Sequence, residues 1–227
     1  MKLNSFYVVL FLSIFLISCE GNDVTNRISK FRVINASLVS GDINLEISNQ
    51  KMYATNIQYL NFSKFSSHIS TTHNVKIKDV AGNTLINTNV EMELNKAYSM
   101  IVYDSVGVVR HKIVEEIFDA SLGSFCKLRF IHTCSNAPAI DIFSSQDTSN
   151  LFSNYTVGQH SDYVLMQDDS TRFSIHQHGN TTAFFEHPNF IKLKSGSFYT
   201  MLMNGQIGAT GKDTVGLYLI ENNGIYE

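Results

Sequence analysis

The chain has 227 residues, a formal net charge of −3 and 44% hydrophobic residues, enough to pack a core of ordinary density. With 17 Lys and Arg against 20 Asp and Glu and no long basic run, the composition argues against nucleic acid as a partner, because phosphate neutralisation needs clustered cations. Ten Tyr and sixteen Phe beside only two Pro suit strands and turns more than helices.

The chain opens as an export signal. Lys2 supplies a short positive start, and Phe6 to Ile17 (FYVVLFLSIFLI) is apolar except for Ser13, the length of a signal-peptide core and too short to span a bilayer. It ends in Leu16-Ile17-Ser18-Cys19, which resembles a bacterial lipobox. The resemblance implies diacylation of the Cys19 sulfur, cleavage before Cys19 and acylation of the new amine. Each buried methylene contributes about 0.8 kcal/mol, so several acyl chains on one residue anchor firmly where a single chain does not. The polar stretch Glu20 to Asn26 reads as a tether. Residues 1–18 are thus expected to be a signal peptide and 19–28 a lipidated tether, with the rest held by lipid in the cell envelope, the outer membrane being the expected site.

An internal repeat follows at a spacing of 97 residues. Lys30-Phe31-Arg32-Val33-Ile34-Asn35 aligns with Lys127-Leu128-Arg129-Phe130-Ile131-His132, Ile43-Asn44-Leu45 with Ile140-Asp141-Ile142, and Gly82-Asn83-Thr84 with Gly179-Asn180-Thr181. With a gap of one, Val75 to Lys78 matches Phe173 to His176; later, Lys96 to Met100 resembles Ser197 to Met201. Ile43 to Ile47 alternates apolar and polar, as a half-buried strand does. Gly-Asn suits a tight hairpin in both copies. Tyr98 to Tyr103 and Phe198 to Met203 are apolar on both faces, as central strands would be. These features predict an all-β chain of two tandem β-sandwich domains, immunoglobulin-like or transthyretin-like, over 29–120 and 125–227.

Cysteine usage is thin. On one extended strand Cys126 and Cys134 would lie roughly 26 Å apart at 3.3 Å per residue, whereas a disulfide needs α-carbons within about 7 Å. The fold is expected not to depend on a bridge.

At the start of the second copy, Leu128-Arg129-Phe130-Ile131-His132-Thr133-Cys134-Ser135-Asn136-Ala137-Pro138-Ala139-Ile140-Asp141-Ile142 resembles the opening motif of domain of unknown function 4397. The resemblance implies a β-sandwich and envelope placement, and brings no established activity. Thr133, Cys134 and Ser135 depart from the pattern, and the first copy carries Asn35 and Asn44 where the second has His132 and Asp141. A site built on that His and Asp would exist only in the second copy or tolerate asparagine.

His176 and His178, two apart on a strand, share a face and form a candidate zinc or copper pair, with His132, His160 or His187 as a possible third ligand. The competing reading is an ordinary polar strand face. His132 and Cys134 share a face as a thiolate–imidazole pair would, against a structural role for His132 at a strand end. Asp141 is either a turn-capping residue or a ligand-binding one. Glu115-Glu116 and Asp168-Asp169 are adjacent and point to opposite faces on a strand, unlike a glycosidase pair. Tyr155 and Tyr163 are candidate sugar platforms, although strand tyrosines usually serve packing. No hydrolase elbow, zincin, phosphate-loop or dinucleotide motif occurs. The expectation is a non-catalytic module that needs no cofactor. It binds envelope protein or glycan, with His132, Asp141, Tyr155 and Tyr163 as candidate ligand-binding residues; the alternative is a metal- or small-molecule-binding lipoprotein that uses the His-rich second domain.

Overall fold

The structure, a computed structural model, describes residues 27–117, 122–147 and 149–222. The expected signal peptide, Cys19 and the expected tether up to residue 26 lie outside the described residues, as do residues 118–121 around the end of the first expected domain. Among the described residues the regular elements are strands apart from one 3-10 turn at Gly211–Asp213, and the chain is an all-β sandwich protein.

The first half contains β1 (Ile28–Asn35), β2 (Ile43–Ile47), β3 (Gln50–Lys51), β4 (Asn61–Phe62), β5 (Ser66–Ile69), β6 (Thr72–Asp79), β7 (Thr84–Glu91), β8 (Ala97–Ser105) and β9 (Val108–Glu116). One sheet runs β4-β1-β8-β9 with β5 also on β1, and the other β3-β2-β6-β7. Their facing sides close over Phe31, Val33, Leu45, Val75, Ile77, Met100 and Val102. The second half contains β10 (Phe125–His132), β11 (Ile140–Ser144), β12 (Asn150–Tyr155), β13 (Val164–Gln167), β14 (Ser170–Thr171), β15 (Phe173–Gln177), β16 (Ala183–Glu186), β17 (Ile191–Lys192), β18 (Phe198–Asn204) and β19 (Gly216–Glu221). Sheets β13-β10-β18-β19 and β12-β11-β15-β16 enclose Leu128, Phe130, Ile142, Phe152, Phe173, Ile175 and Met201.

The same registers recur. β1 runs parallel to β8 with Lys30 opposite Ala97, and β10 runs parallel to β18 with Lys127 opposite Phe198. Asn44 faces Lys78 and Asp141 faces His176. A bulge follows Ile77 in one hairpin and Ile175 in the other, just before the turns in which Gly82 and Gly179 take φ +90° and +78°.

The two halves pack sheet against sheet, giving four stacked layers. On β1 and β8, alternate residues enter the first core, while Ile34, Ile101 and Tyr103 point the other way. They meet Ile131, Leu202 and Ile220 of the second half in a third apolar cluster. Alternation on a strand puts neighbours on opposite faces, so β8 and β18 are buried on both faces because each lies between two layers.

Beside this cluster lies a buried polar network. Glu116 Oε1 accepts from Arg32 Nη2 at 3.1 Å, Arg129 Nη2 at 2.5 Å and the Ser99 hydroxyl. Its Oε2 accepts from the Tyr163 hydroxyl at 2.9 Å. Arg32 also donates to Ser99 and to Asn222 Oδ1, and Arg129 to Thr200 and the Glu115 carbonyl. Arg32 lies over the ring of Phe65 and Arg129 over that of Tyr163. The layout is nearly two-fold: Arg32 matches Arg129, Ser99 matches Thr200, and Phe65 matches Tyr163. Glu116, opposite Ala97, matches Asn222, whose N–H bonds to the Phe198 carbonyl. Burial opposes ionisation of Glu116, but Arg129, Arg32 and its hydroxyl donors outweigh it and hold its pKa low.

Candidate functional site

Asp141 sits on β11 and is 3% exposed. Its Oδ1 accepts from Ser153 Oγ at 2.9 Å, the Asn154 N–H at 2.8 Å and His178 Nδ1 at 2.9 Å; its Oδ2 accepts from the Gly179 N–H at 3.3 Å. Burial raises its pKa, yet these donors win and bring it down to about 2. The carboxylate therefore pins strand β12 and the β15–β16 connection together. It stands on the face of β11 opposite the core residues Ile140 and Ile142, and its oxygens are taken up by donors of the chain itself.

The candidate histidines are engaged one by one. His178 is held by Asp141, whereas His176 tilts against the Phe143 ring at 4.5 Å and bonds Ser174 Oγ through Nε2. Among the described residues no group of three or more His, Cys, Asp and Glu is arranged to hold a metal ion. His132 is fully buried; Nε2 faces the Pro138 carbonyl at 3.4 Å, and Nδ1 has no partner among the described residues. Burial lowers its pKa to about 4. It is a neutral core residue with no access for a ligand. Its counterpart Asn35 does the same work more completely, donating to the Gly41 and Ile57 carbonyls and accepting from the Ser37 N–H.

Neither candidate tyrosine is a platform. Tyr155 packs edge-on against Phe130 and Phe152. Tyr163 has Arg129 on its face and its hydroxyl on Glu116. Cys126 and Cys134 are free and buried, and burial pushes the Cys126 thiol up to about 11, far from a reactive thiolate. The adjacent acids separate as expected: Glu115 reaches Lys96 on the surface while Glu116 is buried.

Among the described residues, three open clefts follow one another on the second sandwich, at the end where β10 begins. The first, of about 310 Å³, lies between Ser124, Phe125, Gln167, Asp168 and Asp169. The second, of about 300 Å³, shares Phe125 and Gln167 with it and adds Ser144, Gln146, Asp147 and Leu165. The third, of about 200 Å³, shares Ser144 and continues past Ser145 and Arg172 to Glu186. Pairing of β10 with β13 sets Phe125 opposite Gln167 and Lys127 opposite Leu165. Gln146 Nε2 bridges to the carbonyls of Gln167 and Asp169. Phe125, Leu165 and Phe190 are exposed, and Phe190 lies against the Arg172 guanidinium at 4.7 Å. Apolar faces thus alternate with amide, carboxylate and guanidinium groups along one line. Of these residues only Asp168 and Asp169 stand out in the sequence, as a polar turn; an exposed Phe at a strand start looks like any core Phe.

The profile of the domain of unknown function DUF4397 matches residues 29–143, just over half of the chain, and the chain belongs to that family. The match covers the first sandwich and runs through β10 and most of β11 of the second. No curated protein matches. Among solved structures, the N-terminal domain of AlgF from P. aeruginosa is similar at 12% identity and TM-score 0.31, covering 40% of this chain and 95% of that one. The family CBM26 module CBMbc of Eubacterium rectale Amy13K, solved with maltoheptaose, is similar at 15% identity and TM-score 0.26, covering 83% and 96%. A streptococcal virulence factor described by its alpha-glucan binding is similar at 10% identity and TM-score 0.26, covering 84% and 96%. These scores are too low to carry a ligand across to this chain.

Proposed function

We propose that this protein is a non-catalytic binding module of the bacterial cell envelope, anchored by lipid on Cys19, and that it holds a polysaccharide chain along the three joined clefts. The observation that carries the reading is their succession, neighbouring clefts sharing Phe125 and Gln167 and then Ser144. An extended ligand meets successive shallow subsites, each with an apolar surface and a hydrogen-bonding rim, rather than one enclosed pocket. Sugar C–H faces pack on rings such as Phe125, while carboxylates and amides accept from and donate to hydroxyls. The clefts lack the enclosed, water-excluding geometry that favours chemistry over binding.

The test is affinity electrophoresis of the chain from residue 19, carrying Cys19→Ser, through gels containing envelope polysaccharides. Retardation by at least one polysaccharide, lost on Phe125→Ala and weakened by Asp168→Asn, is the expected outcome. Equal mobility with and without every polysaccharide would sink the glycan reading. The anchor is checked separately: metabolic palmitate labelling of the full chain should disappear in Cys19→Ala.

A further inference from the structure

The hairpin joining β8 and β9 turns in two residues, since Ser105 pairs with Val108. The turn residues Val106 and Gly107 have φ +52° and +73°, the doubly left-handed form whose twist matches a hairpin. That form favours Asn-Gly. A β-branched side chain there is an outlier with a steric cost. At the other non-glycine left-handed positions among the described residues stand Ser48, Asn49, Asn95 and Asn154, all small or polar, and Leu60, the remaining large apolar case, is half-buried. Val106 is 89% exposed, so no packing within the chain compensates for it.

Val106 is not alone. Asp104 accepts the Leu38 and Val39 N–H groups at 2.6 and 3.0 Å, which fixes the 37–40 turn beside the base of the hairpin. Val39 and Val108 are exposed there as well, giving an aliphatic point of three valines. Just below it on β9 come Arg110, His111 and Lys112, opposite Tyr103, Val102 and Ile101. Asp104, the nearest acid on the hairpin, is buried and occupied by the 37–40 turn.

We infer that this hairpin tip inserts into a phospholipid bilayer with anionic headgroups. A strained apolar residue at a convex tip points to a function outside the fold. Three valines are far too little surface for a protein interface, which typically buries about 1,600 Å². A bilayer needs no complementary shape; it takes the aliphatic point below the headgroups while Arg110 and Lys112 meet the phosphates. The tip is at the opposite end of the strands from the clefts, so the two contacts are independent.

The experiment is co-sedimentation of the chain from residue 19 with Cys19→Ser, using vesicles of phosphatidylethanolamine with phosphatidylglycerol, and of phosphatidylcholine alone. Binding to the anionic vesicles and weaker binding to the neutral ones is expected. Val106→Asn suits the turn, so it should raise the melting temperature and yet weaken vesicle binding about tenfold, the loss of one inserted aliphatic side chain. Arg110→Ser with Lys112→Ser should remove the preference for the anionic vesicles. Absence of wild-type binding to both vesicle types would overturn the inference and leave the tip to a pocket on a protein. Vesicle binding unchanged in Val106→Asn would overturn it equally.

Discussion

A neutral buried imidazole makes a protein sensitive to mild acid, and His132 is such a group. In the unfolded chain it titrates near pH 6.5, whereas burial holds its folded value at about 4. The unfolded state therefore binds the proton first, and stability falls as pH drops from about 6.5 to 4, by roughly 3 kcal/mol. Asp141 acts in the next window. Its folded pKa of about 2 lies below the unfolded value near 3.9, so its contribution is intact above about pH 4 and fades toward pH 2, by roughly 2 kcal/mol. Urea unfolding across pH should show two separate losses. His132→Asn, which installs the residue found in the first copy, should remove most of the upper one, the rest belonging to His68 and His111, whose folded pKa values burial also lowers, and Asp141→Asn should flatten the lower. An upper loss unchanged in His132→Asn would assign it to another group. The sequence exposes His132 and Asp141 as special but not their roles. A motif residue can serve a ligand or the fold, and only its burial and the partners around it decide between them.

At the scale of the elements, the alternating strands are the legible part. Ile43 to Ile47, Val75 with Ile77, and the glycine turns at 82 and 179 show their faces in the residue pattern because one side meets water. The two-residue strands β3, β4, β14 and β17 leave no such trace, since their pairing is imposed by neighbours distant in sequence. β8 and β18 reveal that both faces are covered without revealing what covers them. That cover has a tight point at Gly158, with φ +83° and the Tyr103 hydroxyl lying where a Cβ would stand. Gly158→Ala should cost about 2 kcal/mol, from both the backbone conformation and the clash. Tyr103→Phe removes the nearest atom and should recover part of that loss in the double variant. Additive losses in a denaturation cycle would show that the backbone conformation alone is responsible.

For the whole molecule, the decisive feature is one carboxylate serving two arginines across the face shared by the sandwiches. Arg32 and Glu116 come from the first half and Arg129, Tyr163 and Asn222 from the second, so neither half completes the network alone. None of this is legible beforehand: Glu116 looks like half of an ordinary acidic pair, and the arginines look like solvated strand residues. Removing one member of a buried ion cluster leaves charge without compensation and costs about 3 to 5 kcal/mol, whereas replacing the whole cluster with apolar residues is often neutral. With Ile34, Ile101, Ile131 and Leu202 packed beside it, the intact chain should unfold in a single calorimetric transition. Glu116→Ala strands both guanidinium groups in the interface, while each sandwich keeps its own core. The variant should then melt in two steps, the halves separating before either core is lost. Arg32→Met, Glu116→Leu and Arg129→Met together should restore the single transition. If the triple variant also melts in two steps, the coupling resides in the charges themselves. If the unmodified chain already melts in two, the sandwiches are independent bodies and the shared face adds little to either.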